Sequence, residues 1–274
     1  MKIIIGTANF LKIYGLKKKI IREKKIKNIF DFANKNKILN YDCSAEYNNL
    51  NKISKYFKKK NKIFFKIKIK KNNYKEISNK IKRIKKKIYC LMIHNIETNS
   101  LLKIKKDFGL LNKLAKENSI NKIGISIYDL KDLNIIKKND LLFDYIQIPV
   151  NLFNQTFNEK NTRVMRQNGT KFIARSVFFQ GLIFDQNWKK LRSIKLKNKI
   201  FQIDKSVKKL KSTRLEMCID FIKKLRWIDM FIIGVDSEDH LNNIFKAFKK
   251  QNKNKLTYKF FINEKKIIDP RLWN

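Results

Sequence analysis

"ILNYDCSAEYNNL", residues 38–50, opens as a buried strand and ends as something else. Ile38, Leu39 and Tyr41 are apolar or aromatic. A carboxylate, Asp42, then stands where the strand should end, and a phenol, Tyr47, follows five residues later. A strand-end Asp is commonly a helix cap or turn former. The chain is poor in acid, however, with 23 Asp+Glu against 65 Lys+Arg. A carboxylate kept at an apolar strand end then reads as the counter-ion of a buried lysine, because an unpaired buried charge is costly.

Similar runs recur along the chain. Strand-like segments fall at 2–8 (KIIIGTA), 38–42 (ILNYD), 62–69 (KIFFKIKI), 88–94 (IYCLMIH), 122–128 (KIGISIY), 145–150 (YIQIPV), 171–177 (KFIARSV) and 230–236 (MFIIGVD). Helix-period segments such as NIFDFANKN, YKEISNKIKRIKKK, LLNKLAKENS and RLEMCIDFIKKL lie between them. Near-continuous apolar strands are those buried on both faces, which implies a parallel sheet. Eight β–α units without a Pro/Gly/Ser linker predict a single-domain (β/α)8 TIM barrel over residues 1–274. A doubly wound open sheet is the competitor. Its usual GxGxxG after the first strand is missing, the early glycines being Gly6 and Gly15.

In such barrels the C-terminal strand ends carry the active site. Asp42 ends the second strand and Tyr47 lies just beyond it. Lys66 and Lys68 sit near the end of the third strand, on one face by period-2 alternation, and His94 ends the fourth. Four titratable groups are thereby expected on one rim.

The formal net charge of +42 invites a nucleic-acid reading. The lysines are instead spread through nearly every segment, alongside abundant Asn and Ile, as an AT-rich coding sequence would give. Diffuse charge of that kind speaks to solubility, so no specific nucleic-acid partner is expected. Cys43, Cys90 and Cys218 form no CxxC pair, which suggests neither a disulfide framework nor a zinc site. The N-terminal apolar run is too short for a signal peptide and no stretch reaches membrane-spanning length. A reducing cytoplasm and no membrane association are the expectation.

These residues resemble the aldo/keto reductases. "YDCSAEY" is similar to that family's D-T-A-x-x-Y segment, matching Asp42 and Tyr47, and "LMIHN" resembles its strand-4 motif, matching His94. "IGISIYD" and "FDYIQIPVNLFNQ" look like its fifth and sixth strand motifs, with Ser126 and Gln147. "IIIGTANFLKIYGL" and "ARSVFFQGLI" resemble a bacterial branch often associated with surface-polysaccharide or nucleotide-sugar genes. The likeness runs from residue 3 to about residue 247.

The resemblance implies carbonyl reduction with NADP(H) or NAD(H), on a small-molecule substrate that the branch suggests is sugar-derived, by a monomer or weak homo-oligomer. It implies Tyr47 as general acid, Lys68 tuning it, Asp42 anchoring the lysine and His94 holding the carbonyl oxygen. Ser126, Gln147, Arg175, Gly181 and Ser237 are the implied cofactor contacts. Lys68 is favoured as the residue nearer the rim, with Lys66 the alternative, because the threonine usually found before the catalytic lysine is absent. Other departures are Asn48 where a glycine normally follows the tyrosine, Ile127 in place of an asparagine, and Arg175 in place of a stacking aromatic. Phe179, Phe184 and Trp188 are candidate pocket walls. At "IIGVDSEDHLNNI" the family's phosphate-gripping arginine is matched by His240, among Asp236, Glu238 and Asp239, which predicts that NADH is accepted at least as well as NADPH. Lys246 is the cation that could reach that phosphate. A barrel that binds cofactor without turnover is the other reading, and a basic scaffold the third.

Overall fold

The apolar runs pair in chain order into a closed parallel barrel, β1-β2-β3-β4-β5-β6-β7-β8, with β8 returning to β1. The computed structural model describes residues 1–11, 20–70, 73–84, 86–94, 101–185, 193–251 and 258–273. The strands are β1 (Lys2–Gly6), β2 (Asn40–Ser44), β3 (Lys62–Ile67), β4 (Ile88–His94), β5 (Ile123–Ser126), β6 (Tyr145–Pro149), β7 (Lys171–Arg175) and β8 (Met230–Gly234). This is the (β/α)8 TIM barrel predicted from the alternation, and the open-sheet alternative is excluded by the β1–β8 ladder.

Around it lie α1 (Glu23–Lys35), α2 (Leu50–Ile53), α3 (Tyr74–Lys82), α4 (Leu101–Glu117), α5 (Leu130–Lys138), α6 (Glu159–Gln167), α7 (Ile194–Lys209), α8 (Arg214–Lys224), α9 (Glu238–Lys249) and α10 (Lys265–Ile268). Each long helix turns an apolar stripe to the sheet; in α1 it is Ile26, Ile29, Phe30 and Ala33, spaced three and four apart. Side-chain caps fix several starts: Thr213 and Glu216 close a capping box on α8, and Ser193 caps α7. Among the described residues no helix is long and apolar enough to cross a membrane.

Alternation along each strand divides the core in two. Outward positions such as Ile3, Ile5, Phe65 and Ile93 pack against the helices in one large cluster. Inward positions Ile4, Phe64, Cys90, Met92, Tyr145, Ile173 and Met230 form a second cluster that fills the barrel. Gly124 faces the same interior, and there only glycine fits. A Cβ would come within 2.7 Å of the Tyr145 carbonyl oxygen and 2.8 Å of Met92 Cε.

Most strands end one or two residues away from the expected boundaries, and two of these differences matter to the site. β2 continues past Asp42 to Ser44, held by pairing to β3 at Cys43↔Phe65 and Ser44↔Lys66. β3 stops at Ile67, so Lys68 lies beyond the last ladder position.

Candidate active site

The inward positions that are apolar at mid-barrel become polar at its C-terminal end. On β3, Phe64 gives way to Lys66; on β4, Met92 to His94; on β6, Tyr145 to Gln147; on β7, Ile173 to Arg175. Period 2 aims these side chains at one axis; the ladders set Lys66 level with Ser44 and Met92, and His94 level with Ser126, which is level in turn with Gln147.

Lys66 Nζ lies 2.8 Å from Asp42 Oδ2, and each side chain is 4% exposed. The expectation that Lys68 meets Asp42 is therefore corrected: Lys66 does. Lys68 shares its face but sits one pleat higher, past the strand end and half-buried, with its carbonyl accepting from Asn73 Nδ2 at 3.0 Å. Gln147 completes the pair. Its Nε2 donates to Asp42 Oδ1 at 2.7 Å, and its Oε1 accepts from Lys66 Nζ at 3.5 Å. Burial works against the Lys66 charge, but the Asp42 carboxylate and then Tyr47 outweigh it and hold its pKa above the ordinary lysine range.

Tyr47 closes a short 3-10 turn, Ala45–Tyr47, that follows β2 directly. Asn48 takes the left-handed conformation after it, φ +54°, so asparagine does here what the usual glycine would. The Lys66 ammonium sits 5.7 Å from the centre of the Tyr47 ring. The His94 imidazole meets that ring edge-on, centroids 6.1 Å apart. Burial, followed by the charges of Lys66, Lys68 and Arg175, pushes the His94 pKa down to about 2, so the imidazole is neutral near pH 7.

The expected cofactor contacts occupy the same end of the barrel. Ser126 and Gln147 are buried neighbours on adjacent strands, although Gln147 is engaged by the ion pair. Arg175 stacks 3.8 Å from the centre of the Tyr128 ring and donates to the Ile127 carbonyl at 3.0 Å. Gly181 has φ +86° in the turn after β7, a conformation that favours glycine. That turn is tied down by Arg214, which pairs with Asp204 through two contacts of 2.6 and 2.7 Å and donates to the Ile183 carbonyl. Ser237 caps α9, its Oγ accepting from His240 N–H at 3.1 Å. His240 Nδ1 lies 2.9 Å from Asp236 Oδ1. Lys246 is placed differently from the expectation. It lies more than two turns along α9, beside Thr213, Glu216 and Lys250, away from the helix start.

Of the candidate pocket walls, Phe179 is a core residue, 1% exposed and packed edge-on against Phe153 and Trp273. Phe184 is partly buried against Phe178. Trp188 lies outside the described residues.

Two groups at the rim were not singled out from sequence. Arg271 stacks 3.5 Å from the centre of the Tyr128 ring. With Arg175 at 3.8 Å, the two guanidiniums must occupy opposite faces of that ring, which pins the C-terminal segment to the rim. Nothing local in the sequence marks that contact. Ser44, whose Oγ lies 3.1 Å from His94 Nδ1, could have been found, because it follows Asp42 by two and so shares its inward face.

A barrel whose buried Lys–Asp pair, phenol and neutral imidazole meet at the C-terminal rim is equipped to move a proton onto a developing alkoxide. The chain belongs to the aldo/keto reductase family, whose model matches residues 2–258. Among solved structures, the holo form of an aldo-keto reductase from Bacillus halodurans is similar with a TM-score of 0.72 at 13% identity, over 92% of this chain and 88% of that one. A glycerol dehydrogenase from Gluconobacter oxydans gives a TM-score of 0.69 at 14% identity, over 94% of this chain and 88% of that one. At such identities the likeness is one of fold. No curated protein matches the sequence. Family membership makes the protein an oxidoreductase of carbonyl compounds, in a family that generally uses nicotinamide cofactors. The residues fit an anionic dinucleotide of that kind, since Arg175 on β7 keeps a buried Nε without a partner among the described residues, and Gln147 and Ser126 follow on the next two strands, β6 and β5.

Proposed function

We propose that the protein reduces an aldehyde or ketone to the alcohol, with Tyr47 as general acid and Lys66 as the lysine that tunes it. The observation that carries this reading is the buried Asp42–Lys66 pair beside the Tyr47 ring. A phenol, with an ordinary pKa of about 10, is a weak acid at neutral pH unless its anion is stabilised. An ammonium does that by opposite charge, and the carboxylate keeps the ammonium charged and in place.

The chemistry that a nicotinamide dinucleotide would supply when bound is the hydride for the carbonyl carbon. The Tyr47 hydroxyl gives its proton to the carbonyl oxygen, the O–H bond of the phenol breaking as that of the alcohol forms. Lys66 stabilises the phenolate left behind, and Asp42 and Gln147 hold Lys66. His94 donates a hydrogen bond to the same carbonyl oxygen. Ser126, Gln147, Arg175, Gly181 and Ser237 are the residues that would hold the dinucleotide. A sugar-derived carbonyl is the substrate class that the likeness to the polysaccharide-associated branch suggests. The test is cofactor oxidation, followed by absorbance, against a panel of aldehydes and sugar-derived ketones. Turnover that survives Tyr47→Phe would overturn the assignment of the acid.

A further inference from the structure

We infer that Ser44 is a positioning residue that fixes His94 in the tautomer with its proton on Nε2. This inference rests on the proposed role of His94 at the carbonyl oxygen. Ser44 ends β2 with its inward side chain 1% exposed, so its hydroxyl is closed off from bulk solvent. The oxygen accepts from the Glu46 backbone N–H at 3.2 Å, which caps the turn leading to Tyr47. It also lies 3.1 Å from His94 Nδ1, fifty residues away in sequence.

The proton inventory then allows one arrangement without loss. A neutral imidazole has one N–H donor and one bare nitrogen, and a hydroxyl has one proton to give. Were Nδ1 to carry the ring proton, it would donate to Ser44 Oγ, which already accepts from Glu46. The hydroxyl proton would then be buried without an acceptor among the described residues, at the expense of a desolvated polar group. With Nδ1 bare, Oγ accepts from Glu46 and donates to His94, and every group is satisfied. The remaining ring nitrogen, Nε2, is thereby a donor, which is the form a carbonyl oxygen needs. The same hydroxyl shapes the turn that carries Tyr47, so one side chain couples the placement of the proposed acid to the tautomer of the proposed hydrogen-bond donor.

The chain contains two histidines, which makes the tautomer directly readable. Long-range proton–nitrogen correlation spectra would be recorded on the full chain with nitrogen-15-labelled histidine, the His240→Gln variant assigning the signals. At neutral pH, His94 should show a bare Nδ1 and a protonated Nε2. In Ser44→Ala the two nitrogens should move towards averaged values, and Ser44→Thr should restore the wild-type pattern. A protonated Nδ1 in the wild type, or an unchanged tautomer in Ser44→Ala, would overturn the inference. In kinetics, Ser44→Ala should lower kcat/KM about tenfold, the size of one net hydrogen bond, with the cofactor KM unchanged. A shifted tautomer with unchanged kcat/KM would instead count against His94 acting at the carbonyl and leave the tautomer lock standing.

Discussion

Lys66 Nζ is held 2.8 Å from Asp42 Oδ2 in a part of the barrel almost closed to solvent. Removing one partner strands a buried charge, so Asp42→Asn and Lys66→Met should each destabilise the fold by about 3–5 kcal/mol. The double variant strands no charge, and its asparagine still accepts from Gln147. It should regain most of that stability in urea unfolding while remaining inactive. Simple addition of the two losses would show that the pair is not the coupled unit described here.

The two lysines on one face of β3 should behave differently. Lys66→Met is expected to abolish turnover. Lys68→Met, beyond the ladder, should leave turnover within about an order of magnitude of wild type and act mainly through substrate KM. The reverse ranking in steady-state kinetics would move the proposed catalytic role to Lys68.

Tyr47→Phe removes the proposed proton and keeps the ring. Turnover should fall by ~10²–10⁴-fold. Cofactor affinity, read by quenching of intrinsic fluorescence, should be nearly unaltered.

His94 gives a pH dependence whose sign can be worked out. Its folded-state pKa is held at about 2. In the unfolded chain it returns to about 6.5. Between those values the unfolded chain binds one more proton than the folded one, so this stability is complete above about pH 6.5 and is lost as pH falls below it. Between about pH 7 and about pH 5, wild type should lose about 2 kcal/mol more than His94→Gln. Parallel pH profiles for the two proteins in urea unfolding would refute the depressed imidazole.

Cofactor choice should follow the start of α9. Asp236 is paired with His240 there, and Glu238 and Asp239 occupy the first turn. Carboxylates suit the helix dipole but repel a 2′-phosphate, and a carboxylate can accept from a free 2′-hydroxyl. NADH should therefore serve at least comparably to NADPH in side-by-side kcat/KM values at physiological salt. A preference for NADPH of roughly a hundredfold, ~2.7 kcal/mol, would show that the phosphate is held elsewhere.

Much of this is legible in the sequence itself. Apolar runs of strand length, alternating with helix-period segments, predict eight parallel strands, and each predicted run overlaps an observed one. His94 could be placed at a strand end, and Tyr47 just beyond one, because a strand end is a local feature: apolar residues stop and polar ones begin; Asp42, expected at the end of β2, lies two residues inside it. Asn48, a departure from the glycine of the family's pattern in the sequence, takes the left-handed conformation that asparagine is among the few residues to tolerate. Phe179 misled, because an aromatic in a loop carries no local mark of whether it faces a pocket or the core.

What the sequence determined, then, was which face each residue takes, and what only the tertiary structure decided was height. Period-2 alternation put Lys66 and Lys68 on one inward face and could not separate them. The ladder separated them: Ser44 pairs with Lys66, Lys66 with Met92, and β3 ends one residue later. Those pairings join segments more than twenty residues apart, and they stagger the strands by amounts that no single segment encodes. Lys66 therefore reaches Asp42 and Gln147, and Ser44 meets His94, because inter-strand hydrogen bonds set the layer in which each inward side chain lies.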